Sequence, residues 1–295
     1  MKCDYWGDGR QLLVQLMDDP PDLVFNFAEG QGTSRSREAR VPAVLELLGI
    51  PYTGSDPLTL AATLDKDCAK RLVASEGVAV PNGFVVRPDS ASLWEIPEHF
   101  AFPAIAKPAW EGSSKGIRRR CLARTADELS DIVQSLLAHY QQPVLIEEFI
   151  DGEELSVGLV GNDPPEIIGV LHVVPRQNQQ PFIYSLEVKR DFRRQVGYRL
   201  ARLPADVYER VCLSAQRAYQ VLGCRDVARI DFRLHDNIPY FLEANPIPGL
   251  NAEVSDLVIL AGLAGWSYDE LIEAIVTSAM KRLSLHSDAG LLSKR

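Results

Sequence analysis

Basic blocks, paired cysteines and long apolar runs are all missing from this 295-residue chain. Its 31 Lys and Arg residues are dispersed among 40 Asp and Glu, giving a formal net charge of −9. That balance argues against a nucleic-acid partner and against binding to an anionic membrane surface. No apolar run is long enough to span a bilayer. The start, from Met1 to Gly7, lacks the charged, apolar and small-residue regions of a secretory signal, so the chain reads as cytoplasmic. Cys3, Cys68, Cys121, Cys212 and Cys224 are odd in number with no C-x-x-C pair, and are expected to be reduced. The five histidines are scattered, which leaves no zinc pattern and no His-based nucleophile dyad. There is no internal repeat and no Walker phosphate loop. Any chemistry must therefore rest on carboxylates, lysines, arginines and glycine loops.

What is present falls into three segments of mixed α/β and α+β character. In residues 1–80, Asp22–Ala28 reads as a buried strand. A helix then carries Val41, Val44, Leu45 and Leu48 to a stop at Gly49. Another runs from about Asp65 to Glu76, so the segment resembles a shortened half of a doubly wound domain. Residues 81–152 are expected to form an α+β lobe with strands at Gly83–Val86, Phe102–Lys107 and Pro143–Ile150. Its helix opens at a Thr125–Glu128 capping box. In residues 153–295, strands at Glu154–Val160 and Glu166–Val173 precede a weakly periodic polar stretch, Arg176–Arg202, which reads as a lid. A helix at Pro204–Leu222, a β-hairpin and a helix opened by a Ser267–Glu270 capping box follow. The tail beyond about Leu283 is expected to fray.

The hairpin, Val227–Leu234 and Ile238–Gly249 around His235-Asp236-Asn237, holds the densest set of candidate ligands. Alternation places Arg229, Asp231 and Arg233 on one face of its first strand and Glu243 and Asn245 together on the second. In a favourable register Asp231, Glu243 and Asn245 converge as three oxygen ligands suited to Mg²⁺; the alternative is a solvated polar face. A second candidate is Lys107 followed by Glu111–Gly116, whose glycines and serines can wrap an anion; the alternative is a flexible hairpin loop. A third is Leu145–Ile150 with Gly152 and Glu154, where backbone groups at a hinge can read an adenine edge.

Six stretches in order, Leu64–Lys66, Phe102–Pro108, Glu111–Ser114, Ile146–Glu154, Arg229–Asp231 and Leu242–Asn245, resemble the ATP-grasp superfamily. Within it the chain is most similar to the D-alanine–D-alanine ligases, with Leu47–Ser55 particularly close. The resemblance implies an ATP-grasp fold and a carboxylate–amine ligase that passes through an acylphosphate. It implies ATP and Mg²⁺ (or Mn²⁺) as cofactors, with two ions and Glu243 bridging. Lys66, Lys107, Ser113 and Ser114 would contact the phosphates, and Ser114 would assist the chemistry from the closing loop. Glu147, Glu148, Phe149 and Ile150 would flank the adenine and Glu154 would hold the ribose. Asp231, Glu243 and Asn245 would bind metal. Arg229 and the Gly249 N–H would stabilise the oxyanion, and Lys189 would be the substrate-facing lysine of the lid.

Three departures from that family concern the amino-acid pockets. The expected N-terminal strand, glycine loop and glutamate are absent, so either the first substrate is held differently or the coding start lies downstream of the true one. Arg190 stands where a lid tyrosine is usual, and an arginine there could bind a second carboxylate. Val254 stands where a serine is expected, with Ser255 one place late. Glu29, Arg35 and Arg37 are candidate substitute recognition groups. The expected substrates are amino acids or other small carboxylates and amines, and a homodimer is an open alternative. So are a specialised ligase that does not use D-alanine and an ATP-binding homologue without turnover.

Overall fold

The computed structural model describes residues 3–90, 94–112, 115–176 and 181–285. At its start, α1 (Arg10–Asp18) turns Leu12 and Leu16 onto Val41 and Leu45 of α2 (Arg40–Leu48), with Ile50 and Tyr52 completing the cluster. Gly49 ends α2 at φ +67°, a conformation that glycine adopts without a Cβ penalty. The expected Asp22–Ala28 strand is reduced to a single parallel bridge, Val24 to Tyr52. Two hydrogen bonds make it, Val24 N–H to Pro51 O and Thr53 N–H to Val24 O, each 2.9 Å. With no further strand beside it among the described residues, the run stays extended but gains no sheet. α3 (Pro57–Leu64) and α4 (Lys66–Ser75) break at Asp65, whose side chain caps α4 by accepting from Cys68 N–H at 3.1 Å. The expected second helix is α4. α3 had its own signal in Asp56-Pro57, an N-cap followed by a first-turn proline.

The next lobe is built from β1 (Gly83–Val86), β2 (Ala104–Pro108), β3 (Leu122–Ala123), α5 (Ala126–Tyr140) and β4 (Val144–Glu148). Its strands run antiparallel in the order β1-β4-β2-β3. Leu129, Val133, Leu136 and Leu137 of α5 pack on that sheet. Only half of its expected capping box forms. Thr125 Oγ1 accepts from Glu128 N–H at 3.3 Å, but the Glu128 carboxylate takes the N–H of Arg124.

The larger sheet comprises β5 (Glu153–Val160), β6 (Glu166–Pro175), β7 (Val196–Leu200), β8 (Val227–His235) and β9 (Ile238–Asn245). Its order is β7-β6-β5-β8-β9, antiparallel throughout. The stretch between β6 and β7, expected as a lid, carries α6 (Leu186–Arg190) and α7 (Phe192–Gln195). After β7, α8 (Ala205–Val221) lies with α4 against one face through Val73, Val211, Ala215, Leu155 and Ile230. The other face is covered by α9 (Asp256–Leu263) and α10 (Tyr268–Arg282) through Leu257, Leu260, Leu271 and Ile275. Both halves of the capping box at Ser267 and Glu270 are present. Asp236 and Asn237, at φ +48° and +62°, make the two-residue turn between β8 and β9. Positive φ at both positions matches the twist of the flanking strands.

Candidate functional site

The β8–β9 register pairs Arg229 with Asn245 and Asp231 with Glu243. The apolar alternates Ile230 and Phe232 are fully buried against α8, so the charged set is turned to the opposite face of the sheet. There the guanidinium of Arg229 forks onto Asp231, Nε to Oδ1 and Nη2 to Oδ2, both at 2.9 Å, while Nη1 reaches Asp256 Oδ2 at 3.2 Å. Burial works against the charge of Arg229, but Asp231 and Asp256 keep it protonated. Asp231 also accepts from Ser156 Oγ at 2.7 Å and from Asn245 Nδ2 at 3.3 Å.

Glu243 faces Lys66 at 3.2 Å, and Lys66 also donates to Glu111 O. Burial would raise the pKa of Glu243, yet Lys66, then Lys189, Arg229 and Lys107, hold it below the usual carboxylate range. Two carboxylates and one amide therefore meet at the end of β9. Among the described residues no group of three His, Cys, Asp or Glu forms a cation cage. The third oxygen-bearing side chain here is the Asn245 amide, which donates through Nδ2 to Asp231.

These groups border a pocket of about 420 Å³, lined also by Glu29, Glu38, Tyr184, Lys189, Arg190 and Gly249. The Lys189 ammonium lies 4.8 Å from the centroid of the Tyr184 ring. Tyr184 O–H stands 2.7 Å from Tyr198 O–H and 3.2 Å from Asp256 Oδ1, linking the segment that carries α6 to Arg229. A Cβ on Gly249 would stand 2.8 Å from Ser255 Oγ, so any larger residue there would have to displace that hydroxyl. Val254 and Ser255 both line the pocket.

Lys107 is buried and bonded to Glu147 at 2.6 Å, and the other oxygen of Glu147 meets Lys70 at 2.7 Å. Burial disfavours the Glu147 anion, but Lys107 and then Lys70 outweigh it and lower its pKa. Burial drives Lys70 down to about 8. Glu147 is thus a buried counter-ion shared by two lysines. Glu148 is turned outward, accepting from Asn82 Nδ2 at 3.1 Å. The N–H groups of Glu148 and Phe149 are bonded to Asn82 O and Pro103 O. The reason is topological: β4 lies inside its sheet, so its backbone is engaged until the strand ends. Of the expected base-reading set, Ile150 is the position past those bonds.

Arg233 organises the region beyond it. Its guanidinium lies 5.3 Å from the Phe149 ring centroid, 2.8 Å from Glu154 Oε2, and donates to Gly152 O and Phe182 O at 2.9 and 2.7 Å. Glu154 Oε2 nevertheless has no aligned hydrogen bond among the described residues, and burial raises its pKa.

Ser113 and Ser114 lie outside the described residues. Two of the substitute recognition groups are committed elsewhere. Arg35 pairs with Asp65 at 2.7 Å; Arg37 is buried, 3.5 Å from Glu111 and donating to Trp110 O at 2.7 Å. Glu29 does line the pocket, together with Glu38, which sequence reasoning passed over. Burial pushes Glu38 up to about 7. Asp256, Tyr184 and Tyr198 were also passed over. Asp256 had a signal, an acid in the first turn of a helix directly after the Pro-Gly exit, whereas the tyrosines sat in a stretch without periodicity.

Residues 72–277 match the family model described as D-ala D-ala ligase C-terminus. A D-alanine–D-alanine ligase of Syntrophotalea carbinolica is 33% identical over 275 residues, spanning 93% of this chain and 84% of that relative. Among solved structures, a D-alanine–D-alanine ligase from Bacillus anthracis superposes with a TM-score of 0.75 at 24% identity, covering 94% of this chain and 86% of that one. The VanG D-Ala:D-Ser ligase from Enterococcus faecalis superposes with a TM-score of 0.71 at 25% identity, covering 88% and 73%.

Proposed function

The chain belongs to the D-alanine–D-alanine ligase family and is an ATP-dependent carboxylate–amine ligase; we propose that its reaction centre is the pocket floored by β8 and β9. The observation that carries this assignment is the register of Asp231 with Glu243 and of Arg229 with Asn245, beside Lys66. Residues 1–80, 81–152 and 153–295 are read as three domains, with α4 of the first docked on the sheet of the third.

ATP would lie between the two sheets. Glu154 suits the ribose because its buried Oε2 lacks an aligned donor. Lys107, held in place by Glu147, and Lys66 suit the phosphates. Asp231, Glu243 and Asn245 offer the hard oxygen donors that Mg²⁺ prefers. A divalent ion held there would neutralise charge on the phosphates. Both oxygens of Asp231 accept from Arg229, which orients that carboxylate beside Glu243.

The substrate carboxylate attacks the γ-phosphate to give an acylphosphate and ADP, and the amine then displaces phosphate. Both steps gather negative charge, which Arg229, Lys66 and the Gly249 N–H, all on the pocket wall, would stabilise without covalent chemistry. Lys189 on α6 faces the same charge, since it acts on Glu243. α6 and Tyr184 would help to exclude water from an intermediate that hydrolyses readily.

Incubation with ATP, Mg²⁺ and a panel of amino acids is expected to release ADP and phosphate in proportion to amide formed. Glu243→Gln should lower kcat at least about 100-fold, as loss of one preorganised electrostatic group does. Release of AMP, or an unchanged kcat in the variant, refutes the assignment.

A further inference from the structure

Four charged side chains line the pocket without an ion pair among the described residues: Glu29, Glu38, Lys189 and Arg190. Every other charge on its wall is already matched, Lys66 by Glu243 and Arg229 by Asp231 and Asp256. Glu38 and Lys189 are half-buried, where a charge without a partner is costly, while Glu29 and Arg190 are exposed on the same wall and free to meet a ligand that supplies the opposite signs.

The four do not face one point. Lys189 acts on Glu243 and Glu154 and so looks toward the nucleotide end. Arg190 follows it on α6, and consecutive helical residues diverge by roughly 100°. Arg190 lines the same pocket and is the more exposed of the two. Glu38 lines the pocket with Lys66 and Glu243 and feels both charges, after those of Arg37 and Glu29, so its carboxylate belongs to the end where a substrate carboxylate would meet the γ-phosphate. A group received by Glu38 is therefore close to the reacting carbon, and a group received by Arg190 is further out.

We propose that Glu38 and Arg190 set the donor substrate: a dicarboxylic α-amino acid whose ammonium rests on Glu38 and whose distal carboxylate rests on Arg190. The assignment of near and far ends rests on the ligase reading above. An ammonium group on Glu38 would restore the ionised carboxylate that burial otherwise disfavours. A distal carboxylate would meet a planar guanidinium able to bind it through two parallel hydrogen bonds. Alanine or serine satisfies Glu38 and leaves Arg190 bare.

Titration calorimetry on the full chain with ADP and Mg²⁺ tests this, using aspartate, glutamate and alanine in both configurations, together with succinate and glutarate. At least one enantiomer of aspartate or glutamate should bind ten times more tightly than alanine of the same hand. Arg190→Ala should abolish that advantage, while Arg71→Ala on the exposed face of α4 leaves it intact. Glu38→Gln should weaken the amino acids about tenfold and spare succinate and glutarate, which have no amino group to lose. Alanine binding as tightly as the acidic amino acids, undetectable binding of both acids, or an advantage that survives Arg190→Ala overturns the proposal. ADP release is read separately. If the acids bind in this pattern but release no ADP with ATP, Mg²⁺ and a panel of acceptor amines, the reaction-centre assignment fails and the pocket assignment stands.

Discussion

Glu147 is the residue that holds Lys107, the lysine proposed above for the phosphates. One oxygen meets Lys107 and the other Lys70, and all three side chains are buried. Removing one member of such a set leaves uncompensated charge in low dielectric, which costs about 3–5 kcal/mol. Glu147→Gln should therefore lower the urea midpoint at pH 7 by that equivalent and also raise the KM for ATP, because Lys107 loses its anchor. Glu147 has a folded pKa below its unfolded value. Its contribution is present above about pH 4.3 and disappears as the pH falls through the folded value. The gap between wild type and variant should narrow in acid.

Lys70 titrates with the opposite consequence. Its folded pKa of about 8 lies below the unfolded one. Between about pH 8 and 10.4 the unfolded chain holds the proton more tightly, so stability rises with pH across that window. Wild type should gain up to about 3 kcal/mol there relative to Lys70→Met. Urea unfolding at pH 7.5 and pH 10.5 measures the difference, and a gap that does not change would contradict it.

At the scale of elements, the turn between β4 and β5 sets how the two sheets meet. A Cβ on Gly152 would lie 2.1 Å from Leu234 O and 2.8 Å from its carbonyl carbon. Both atoms are backbone of β8, and no side chain can swing aside to make room. Gly152→Ala should therefore displace the turn, cost about 2 kcal/mol or more, and weaken ATP binding, since Arg233 also donates to Gly152 O. Differential scanning calorimetry with and without ATP separates the two effects.

Elements were also where the sequence was most readable. The β8–β9 hairpin, β1, α2, α8 and the capping box of α10 follow from alternation, a 3.6-residue period and cap chemistry, all local properties. The short helices α6 and α7 lack enough turns to show a period. The Asp22–Ala28 run looked like a strand because its composition is that of one, but a strand also needs a partner, and partners are not local. The site divides in the same way. Asp231, Glu243 and Asn245 are close in sequence and their convergence could be read from alternation. Glu38, Asp256 and Tyr184 reach the pocket only through tertiary packing. Nothing local indicated that the Glu147 side chain would be claimed by two lysines.

For the molecule as a whole, Asp226 joins segments that are far apart in the chain. Its side chain is fully buried and its backbone is left-handed at φ +65°. It accepts from Gly54 N–H at 2.8 Å, from Asn162 Nδ2 at 3.0 Å, and from Arg282 Nε and Nη2 at 3.1 and 2.7 Å. Arg282 in turn donates to Tyr52 O at 3.0 Å, in the residue that forms the parallel bridge with Val24. One ion pair thus ties the N-terminal segment, the β5–β6 turn, the start of β8 and the end of α10. Arg282→Leu would leave Asp226 buried with two neutral donors and no cation, a loss of about 3 kcal/mol or more. Because Arg282 does not line the pocket, substrate KM should hold while the urea midpoint falls. If the N-terminal segment detaches before the rest, intrinsic fluorescence of Trp6 should change at lower urea than the far-ultraviolet dichroism. A single coincident transition, displaced by less than the equivalent of about 1 kcal/mol, would show that the segment is held by its other contacts, Phe25 on the α9–α10 cluster among them, rather than by Asp226.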